Sequence, residues 1–472
     1  MDYRELEGLF NPSSVAVVGV TEDRFNLPLT WLQESEKLGY KGTLYAVSRR
    51  EKIGHYPTYQ RVADIPGPVG LCIVGVAAGA VPSVLEECVY KGVPWVVIMT
   101  SGFAETGRPE GQEMERRIRE LIKGARTRVI GPNCVGPYCP ATGITFEREM
   151  SEKHGEIAFV AQSGALSILL GRLGKVKGLG FSKVISYGNE SDVGSDLLFE
   201  YMAHDPDTKI VASYLEGVRD EPAFLEVLRN TAARKPVVIL KGGATATGTR
   251  AVSYHTGAEA GVEAEWQAVF RELGVSQVAN FDELVDTLIA FTRLKSLRGN
   301  RVALISPSGG MSVTNTDICV RCGFQAPELS PHIRDQLEQV LTAGTSARNP
   351  LDLAGFNYFD RKVVRQAIAL LDADDRIDAI LFHLPMDFLM PIVDGAPWFE
   401  EKFLNNLLDS RPASTPLVII LPHTLADGRR AEVERLFLDQ GFSVFPSVER
   451  ALRASAHVLE RQRMAERVTP VT

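Results

Sequence analysis

The chain has 472 residues, 45% of them hydrophobic and 23% charged, an ordinary globular composition long enough for roughly three domains of about 150 residues. Its formal net charge of -8 argues against non-specific binding to nucleic acid or to an anionic membrane. No window approaches about 18 consecutive apolar residues and Met1 to Leu9 carry no apolar leader, so neither a membrane span nor a secretory signal is expected and the protein reads as cytoplasmic. The cysteines at 72, 88, 134, 139, 319 and 322 are scattered, which fits a reduced compartment and not a disulfide framework. Cys319-Val320-Arg321-Cys322 has no second pair or histidine at ligand spacing, so it reads as part of a helix and no metal site is expected.

The first unit alternates apolar strands with helical stretches. Val15 to Val20, Leu44 to Val47, Leu71 to Val76, Trp95 to Met99 and Val129-Ile130 read as strands, with a helix from Val81 to Gly92. Continuous apolar strands between helices indicate a parallel sheet covered on both faces, with ligands beyond the carboxyl ends of the strands. Those ends carry Gly19-Val20-Thr21, Ala77-Ala78-Gly79, Ser101-Gly102-Phe103 and Asn133-Cys134, small or polar loops that imply a ligand edge. After Gly19 come Val20-Thr21-Glu22-Asp23, so the dinucleotide fingerprint is absent and hydride transfer is disfavoured.

The second unit begins near Gly155. The strand Ile157 to Ala161 runs into Gln162-Ser163-Gly164-Ala165, which opens a helix through about Leu173. A helix start of this kind is a ready anion site, although Ser163 as a plain N-cap explains it equally well. Lys183 to Asn189 and Ile210 to Gly217 are further strands with their loops, Asp192 to His204 and Pro222 to Arg234 helices, and Glu216 puts a carboxylate at a strand end. Pro236 to Leu240 is the next strand. A loose loop, Gly242 to Gly248, then leads to Ser253-Tyr254-His255-Thr256-Gly257-Ala258, which presents a lone imidazole on a small-residue loop before a helix from Ala264 to Leu273. A carboxylate beside an imidazole fixes its tautomer and raises its basicity, and a helix N-terminus beside both holds phosphate. Together these residues describe a histidine that carries a phosphoryl group.

A helix from Asn280 and a polar linker, Leu294 to Asn300, precede a third unit. Arg301 to Ser306, Ala379 to Leu384, Pro416 to Leu421 and Phe442 to Phe445 read as strands, Phe359 to Leu371 as a helix, and Arg461 to Thr472 as a frayed end. The three units are alike in type, without a clean internal repeat.

At this point the chain resembles the alpha subunit of NDP-forming acyl-CoA synthetases, the relatives of succinyl-CoA synthetase also called ADP-forming acetate–CoA ligases. The resemblance rests on Ser14-Val15-Ala16-Val17-Val18-Gly19, Gly102-Phe103-Ala104-Glu105-Thr106-Gly107, Gly131-Pro132-Asn133-Cys134-Val135-Gly136, Gln162-Ser163-Gly164-Ala165-Leu166, Tyr214-Leu215-Glu216-Gly217, His255-Thr256-Gly257-Ala258 and Asn349-Pro350-Leu351-Asp352-Leu353, in the family's order. It implies an α/β chain of three consecutive parallel-sheet domains: a Rossmann-like CoA-binding domain over 1–128, a flavodoxin-like phosphohistidine domain over 129–294, and a second flavodoxin-like domain, as in succinyl-CoA synthetase, over 300–460. His255 would be phosphorylated and Glu216 would orient it. Two helix starts, Gln162-Ser163-Gly164-Ala165 and Gly355-Phe356, would grip the phosphate. CoA would lie on Gly19, Val20, Thr21, Val76, Ala77, Ala78, Ser101, Gly102, Phe103, Asn133 and Cys134.

The implied reaction converts acyl-CoA, ADP and phosphate into acid, CoA and ATP through an acyl phosphate and a phosphohistidine. ADP or ATP with Mg2+ would sit on an ATP-grasp beta subunit, because three α/β units already fill this chain. A hetero-oligomer with alpha–alpha contacts and a small carboxylic acid as substrate complete the expectation. The sequence departs from the family in the first domain. Arg24-Phe25-Asn26-Leu27-Pro28 replaces a Gly-containing turn, and Val47-Ser48-Arg49-Arg50 replaces Val-Asn-Pro-Lys, leaving Arg49 or Arg50 for a CoA phosphate. Tyr254 stands where the family has Ser. A CoA-sensing module without turnover and an acyl or carbamoyl transferase on the same scaffold are the alternatives.

Overall fold

The computed structural model describes residues 2–255, 260–295, 297–342, 345–353, 356–387, 397–423, 425 and 427–468. Its strands form three sheets. The first comprises β1 (Ser14–Val18), β2 (Thr43–Val47), β3 (Thr58–Tyr59), β4 (Leu71–Val74), β5 (Trp95–Ile98) and β6 (Arg128–Ile130), in the order β3-β2-β1-β4-β5-β6. Every pairing in it is parallel, and this is the doubly wound order, with the switch point between β1 and β4. Its central strands β1, β4 and β5 are buried from end to end, which is why they read as unbroken apolar runs.

The second sheet contains β7 (Gly136–Tyr138), β8 (His154–Ala161), β9 (Phe181–Ser186), β10 (Ile210–Leu215), β11 (Val237–Lys241) and β12 (Ser276–Val278), in the order β12-β11-β10-β8-β9-β7. Its five parallel strands follow the flavodoxin-like order with the switch point between β8 and β10. A uniformly parallel sheet was expected. β7 instead runs antiparallel to β9, because the chain turns back through Gly136, whose φ of 84° suits a residue without a side chain.

These two sheets belong to one compact unit, Met1–Leu284. Charged and aromatic contacts tie its parts together: Arg128 makes a two-pronged pair with Asp192 at 2.8 and 2.6 Å, and Phe10 stacks on Tyr201. Asp192 is thereby held outside the helix it was expected to open, which runs from Ser195 to His204.

The unit Val285–Thr472 holds the third sheet: β13 (Val302–Ser306), β14 (Leu351–Asp352), β15 (Ala379–His383), β16 (Leu417–Ile420) and β17 (Ser443–Phe445). The order β14-β13-β15-β16-β17 is again flavodoxin-like and all parallel. The helix expected over 359–371 is two, Phe356–Phe359 and Arg361–Asp372, because the Asp360 side chain caps the second by accepting from the backbone of Lys362 and Val363. Cys319 lies inside the helix Gly309–Arg321, but Cys322 falls just past its end. The terminal helix continues to Val468, so the end is ordered further than its composition suggested.

Candidate functional site

The site of the second sheet is built at its switch point. Parallel pairing of Tyr214 with Ala161 sets the residues after β8 and β10 side by side. Gln162 Oε1 accepts from the backbone of Glu216 at 2.6 Å and of Gly217 at 3.3 Å, clamping the two strand ends together. Lys241, closing β11, donates from Nζ to the carbonyls of Glu216 at 2.7 Å and Gly242 at 2.6 Å. Burial lowers that ammonium to a pKa of about 8.

The clamp presents a carboxylate that is almost wholly buried. Glu216 Oε1 accepts the Tyr214 hydroxyl at 2.9 Å and faces His255 Nδ1 at 2.6 Å. The imidazole itself is half exposed. With Nδ1–H turned to a carboxylate, Nε2 carries the lone pair and points away from that contact. The hydrogen bond to Glu216 raises the imidazole pKa, burial opposes the rise, and the charges of Glu216 and Glu105 add to it.

His255 is not on a loop. It ends the helix Ala246–His255, and the loose segment shrinks to 242–245. Thr245 starts the helix, its Oγ1 accepting from Gly248 N at 3.0 Å. Thr256, Gly257 and Ala258 lie outside the described residues.

The expected phosphate helix is present as Gly164–Lys177, with Ser163 Oγ accepting from Leu166 N at 3.3 Å. The first-turn N–H groups of Gly164 and Ala165, as at any helix start, have no acceptor within the helix. Gln162, expected on the phosphate, spends its carbonyl oxygen on the Glu216 backbone. Gly355 lies outside the described residues, and Phe356 begins a four-residue helix in the other unit.

At the carboxyl edge of the first sheet, Gly19 has a φ of 92° and an added Cβ there would meet Gly75 O at 2.2 Å. Thr21, Ala77 and Ser101 are exposed along it, Ala78 and Val76 partly so, and Gly102 takes a φ of 108°. Phe103 and Cys134 side chains are packed in the core, so they offer that edge backbone alone. Cys134 Sγ lies 3.4 Å from the Ile98 carbonyl, and burial pushes its thiol up. Asn133 adopts a left-handed φ of 59° at the end of the edge. Arg50 pairs with Glu22 at 3.0 Å on the surface, and Arg49 is exposed beside it.

Two edge residues escaped the sequence reading. Asn26 Nδ2 donates to Gly19 O at 3.2 Å while its Oδ1 accepts from Thr21 N at 3.2 Å and Leu29 N at 2.8 Å. The unusual 24–28 turn is therefore built around an N-cap, which Asn two places before Pro28 could have signalled. Ser48 Oγ donates to Val20 O at 2.7 Å, tying the second strand's loop to the first's at the place where the family has Asn.

Comparison with known proteins bears on this geometry. Residues 13–140 match the CoA binding domain family, and residues 154–291 match the family described as succinyl-CoA ligase like flavodoxin domain. The chain is 33% identical over 466 residues to the acetate–CoA ligase (ADP-forming) I subunit alpha of Pyrococcus furiosus, covering 95% of this chain and 96% of that one. The chain belongs to the family of ADP-forming acetate–CoA ligases. A second family member, acetate–CoA ligase (ADP-forming) I of Archaeoglobus fulgidus, is 35% identical over 81% of this chain and 56% of its own length. The chain thus spans about half the length of some of the curated relatives it matches. Among solved structures, the dinucleotide-forming acetyl-coenzyme A synthetase 1 of Ca. Korarchaeum cryptofilum, in complex with phosphate and ADP, matches with a TM-score of 0.83 and 26% identity over 98% of both chains.

Family membership makes the α/β fold, with a CoA-binding and a succinyl-CoA ligase-like domain, a shared inheritance. Among the described residues no helix is long and apolar enough to cross a membrane, and no cluster of His, Cys, Asp and Glu is placed to hold a metal ion.

Proposed function

We propose that this chain is the alpha half of an ADP-forming acyl-CoA synthetase that carries a phosphoryl group on His255 Nε2. The observation that carries the reading is the 2.6 Å contact between His255 Nδ1 and the buried Glu216 carboxylate, which fixes the ring with Nε2 outward. Phosphate attacks the acyl-CoA carbonyl, the C–S bond breaks, and an acyl phosphate and CoA result. Nε2 then attacks phosphorus, the P–O bond to the acyl group breaks, and the acid leaves as its carboxylate. The ring now holds positive charge that Glu216 stabilises through Nδ1–H, while the Gly164-Ala165 helix start offers N–H groups to the phosphoryl oxygens. The N–P bond finally breaks as the group passes to ADP.

The CoA moiety fits the edge of the first sheet, with Gly19, Thr21, Ala77, Ala78, Ser101, Gly102 and Asn133 along it and Arg49 and Arg50 at its rim. In this reading ADP, with Mg2+, falls to an ATP-grasp partner subunit; the name of the Pyrococcus relative, a subunit alpha, supports a partner subunit. The six free cysteines support a reduced compartment for the enzyme. A CoA-sensing module without turnover has less support, since a sensor needs no clamped carboxylate behind a half-exposed imidazole.

The test is incubation of the full chain with acetyl phosphate labelled on phosphorus. Label should be acid-labile, stable in base, and lost in His255→Ala. Label persisting in that variant would remove the central residue of the reading. Calorimetric titration with CoA, beside a turnover assay with the partner, separates the enzyme from the sensor.

A further inference from the structure

Between the two sheets of the first unit lies a carboxylate that neither site requires. Glu105 sits in the 3-10 turn Ala104–Thr106, directly after Ser101-Gly102-Phe103, and is buried to 9% exposure. Its Oε1 accepts from Gly102 N at 2.5 Å and Phe103 N at 3.1 Å, so it holds the strand-end loop from beneath. Its Oε2 accepts Asn189 Nδ2 at 2.6 Å, from the loop after β9 of the second sheet. The same amide donates to Glu115 Oε2 at 3.0 Å, and Asn189 Oδ1 accepts from Asn133 Nδ2 at 3.3 Å. Glu115 in turn accepts from Ala104 N at 3.1 Å and pairs with Arg119 at 3.0 Å.

Two buried carboxylates converging on one amide is a costly way to cap a turn, since like charges and desolvation both oppose it. A hydroxyl would have capped Gly102 and Phe103 as well. The turn also packs against the helix Ala246–His255. Glu105 therefore touches the ligand edge of one sheet, a loop of the other, and the neighbourhood of the imidazole.

We propose that Glu105 is a positioning residue that couples occupancy of the Ser101–Phe103 edge to the state of His255. A ligand seated on that edge fixes the Gly102 and Phe103 N–H groups. Glu105 is bonded to those groups through Oε1 and to the second sheet's loop through the Asn189 amide on Oε2, and it is the Asn189 bond that turns a shift of the edge loop into a shift of the Glu105 charge relative to the imidazole. The imidazole is otherwise faced by Glu216 from the end of β10, with Lys241 and Tyr214 behind that carboxylate. Coupling of this kind is reciprocal: what the ligand does to the histidine's proton affinity, the proton does to the ligand's affinity. The inference rests on the function proposed above, and its device is the Asn133–Asn189–Glu105 chain.

The test is the titration of His255 followed by NMR on full chain labelled in its histidines, with and without CoA. CoA should move the His255 pKa by at least about 0.7 unit, the equivalent of about fivefold coupling at the low end of that between linked sites. In Glu105→Gln the resting pKa should fall and the CoA response shrink below about 0.2 unit, well under that fivefold coupling. Asn189→Ala keeps the Glu105 charge and its cap of the turn, so it should hold the resting value and lose the response. It also carries the test if the Glu105 variant fails to fold. A wild-type CoA response preserved in Asn189→Ala, or no response in the wild type, overturns the coupling. Phosphorylation by acetyl phosphate, run on the same samples, keeps the two ideas apart. Its absence in the wild type sinks the phosphohistidine, whereas phosphorylation with an unresponsive imidazole sinks the coupling alone.

Discussion

The second and third sheets share a strand order, and each bears a histidine at its switch point. His255 meets Glu216 at the end of β10, and His383 closes β15, the strand in the equivalent place. Their electrostatics are opposite. The hydrogen bond to Glu216 raises the His255 pKa, whereas burial lowers that of His383 to about 4. His383 Nδ1 lies 2.9 Å from Asn315 Nδ2, an amide that carries no charge to offset desolvation. Fold alone thus does not set a histidine's proton affinity; burial and the group hydrogen-bonded to Nδ1 do.

The largest effect that separates the two is covalent. Under the proposed function, His255→Ala should lower phosphoryl incorporation by more than about 10²-fold, the scale of losing a group essential to transition-state stabilisation, while His383→Asn should leave it near wild type. Radiolabel counting after a base quench reads both. Equal losses in the two variants would erase the distinction.

Next comes the carboxylate. Glu216→Gln keeps the side chain's shape and removes the charge that stabilises the ring once it carries the phosphoryl group. A fall in phosphorylation rate on the order of 10²-fold is expected, as for removal of one preorganised electrostatic partner. The His255 titration should move down toward the ordinary imidazole value, since its first cause is gone. An unchanged rate would mean that Tyr214 and Lys241 hold the site without Glu216's charge.

How far this contrast was readable from sequence depends on its scale. The longer strands were legible because buried parallel strands are continuous apolar runs ending in Gly or a polar residue, as Val237–Lys241 before Gly242 shows, whereas the two- and three-residue β3, β7, β12 and β14 were too short to make such a run. Glu216 was legible as a carboxylate at a strand end. The His255 helix was not, because Gly242-Gly243-Ala244-Thr245-Ala246-Thr247-Gly248 has poor helix propensity. Buried Val252 and the Thr245 cap override that propensity, both of them visible only once the chain is folded. The hydrogen-bonding roles of Gln162, Lys241 and Glu105 were hidden for another reason. Each acts through a partner 25 to 84 residues away, and sheet order, not spacing, brings the partners together.

A smaller effect sharpens the comparison by converting one site toward the other. Asn315→Asp puts a carboxylate beside His383 and should raise its pKa from about 4 by a unit or more, roughly 1.4 kcal/mol per unit. NMR titration in the acid range reads it. The two histidines should also weight stability in opposite directions. The raised His255 contributes below the ordinary imidazole pKa, and that contribution is lost as pH rises through its folded value. The depressed His383 costs nothing above that pKa, and stability is lost as pH falls toward about 4, where the unfolded chain binds a proton that the folded one refuses. Asn315→Asp should shrink this acid loss; an unmoved His383 would mean that burial outweighs any neighbour.

The smallest effect concerns the two helix starts at the switch points. Ser163 and Ser308 play the same part in the two sheets, each accepting from a backbone N–H three residues on, at 3.3 and 3.4 Å. Ser163→Ala and Ser308→Ala should each cost about 1 kcal/mol, the ordinary worth of an N-cap, read as a loss in denaturant midpoint of the full chain. If both serines are caps and nothing more, their stability losses match and only Ser163→Ala, in the sheet that bears the His255–Glu216 pair, shows a further change in phosphorylation rate. That residual should be modest, because the Gly164 and Ala165 N–H groups belong to the backbone and survive the substitution. A Ser163→Ala rate loss as large as that of Glu216→Gln would instead make the hydroxyl a direct phosphoryl ligand, and the helix start more than a dipole.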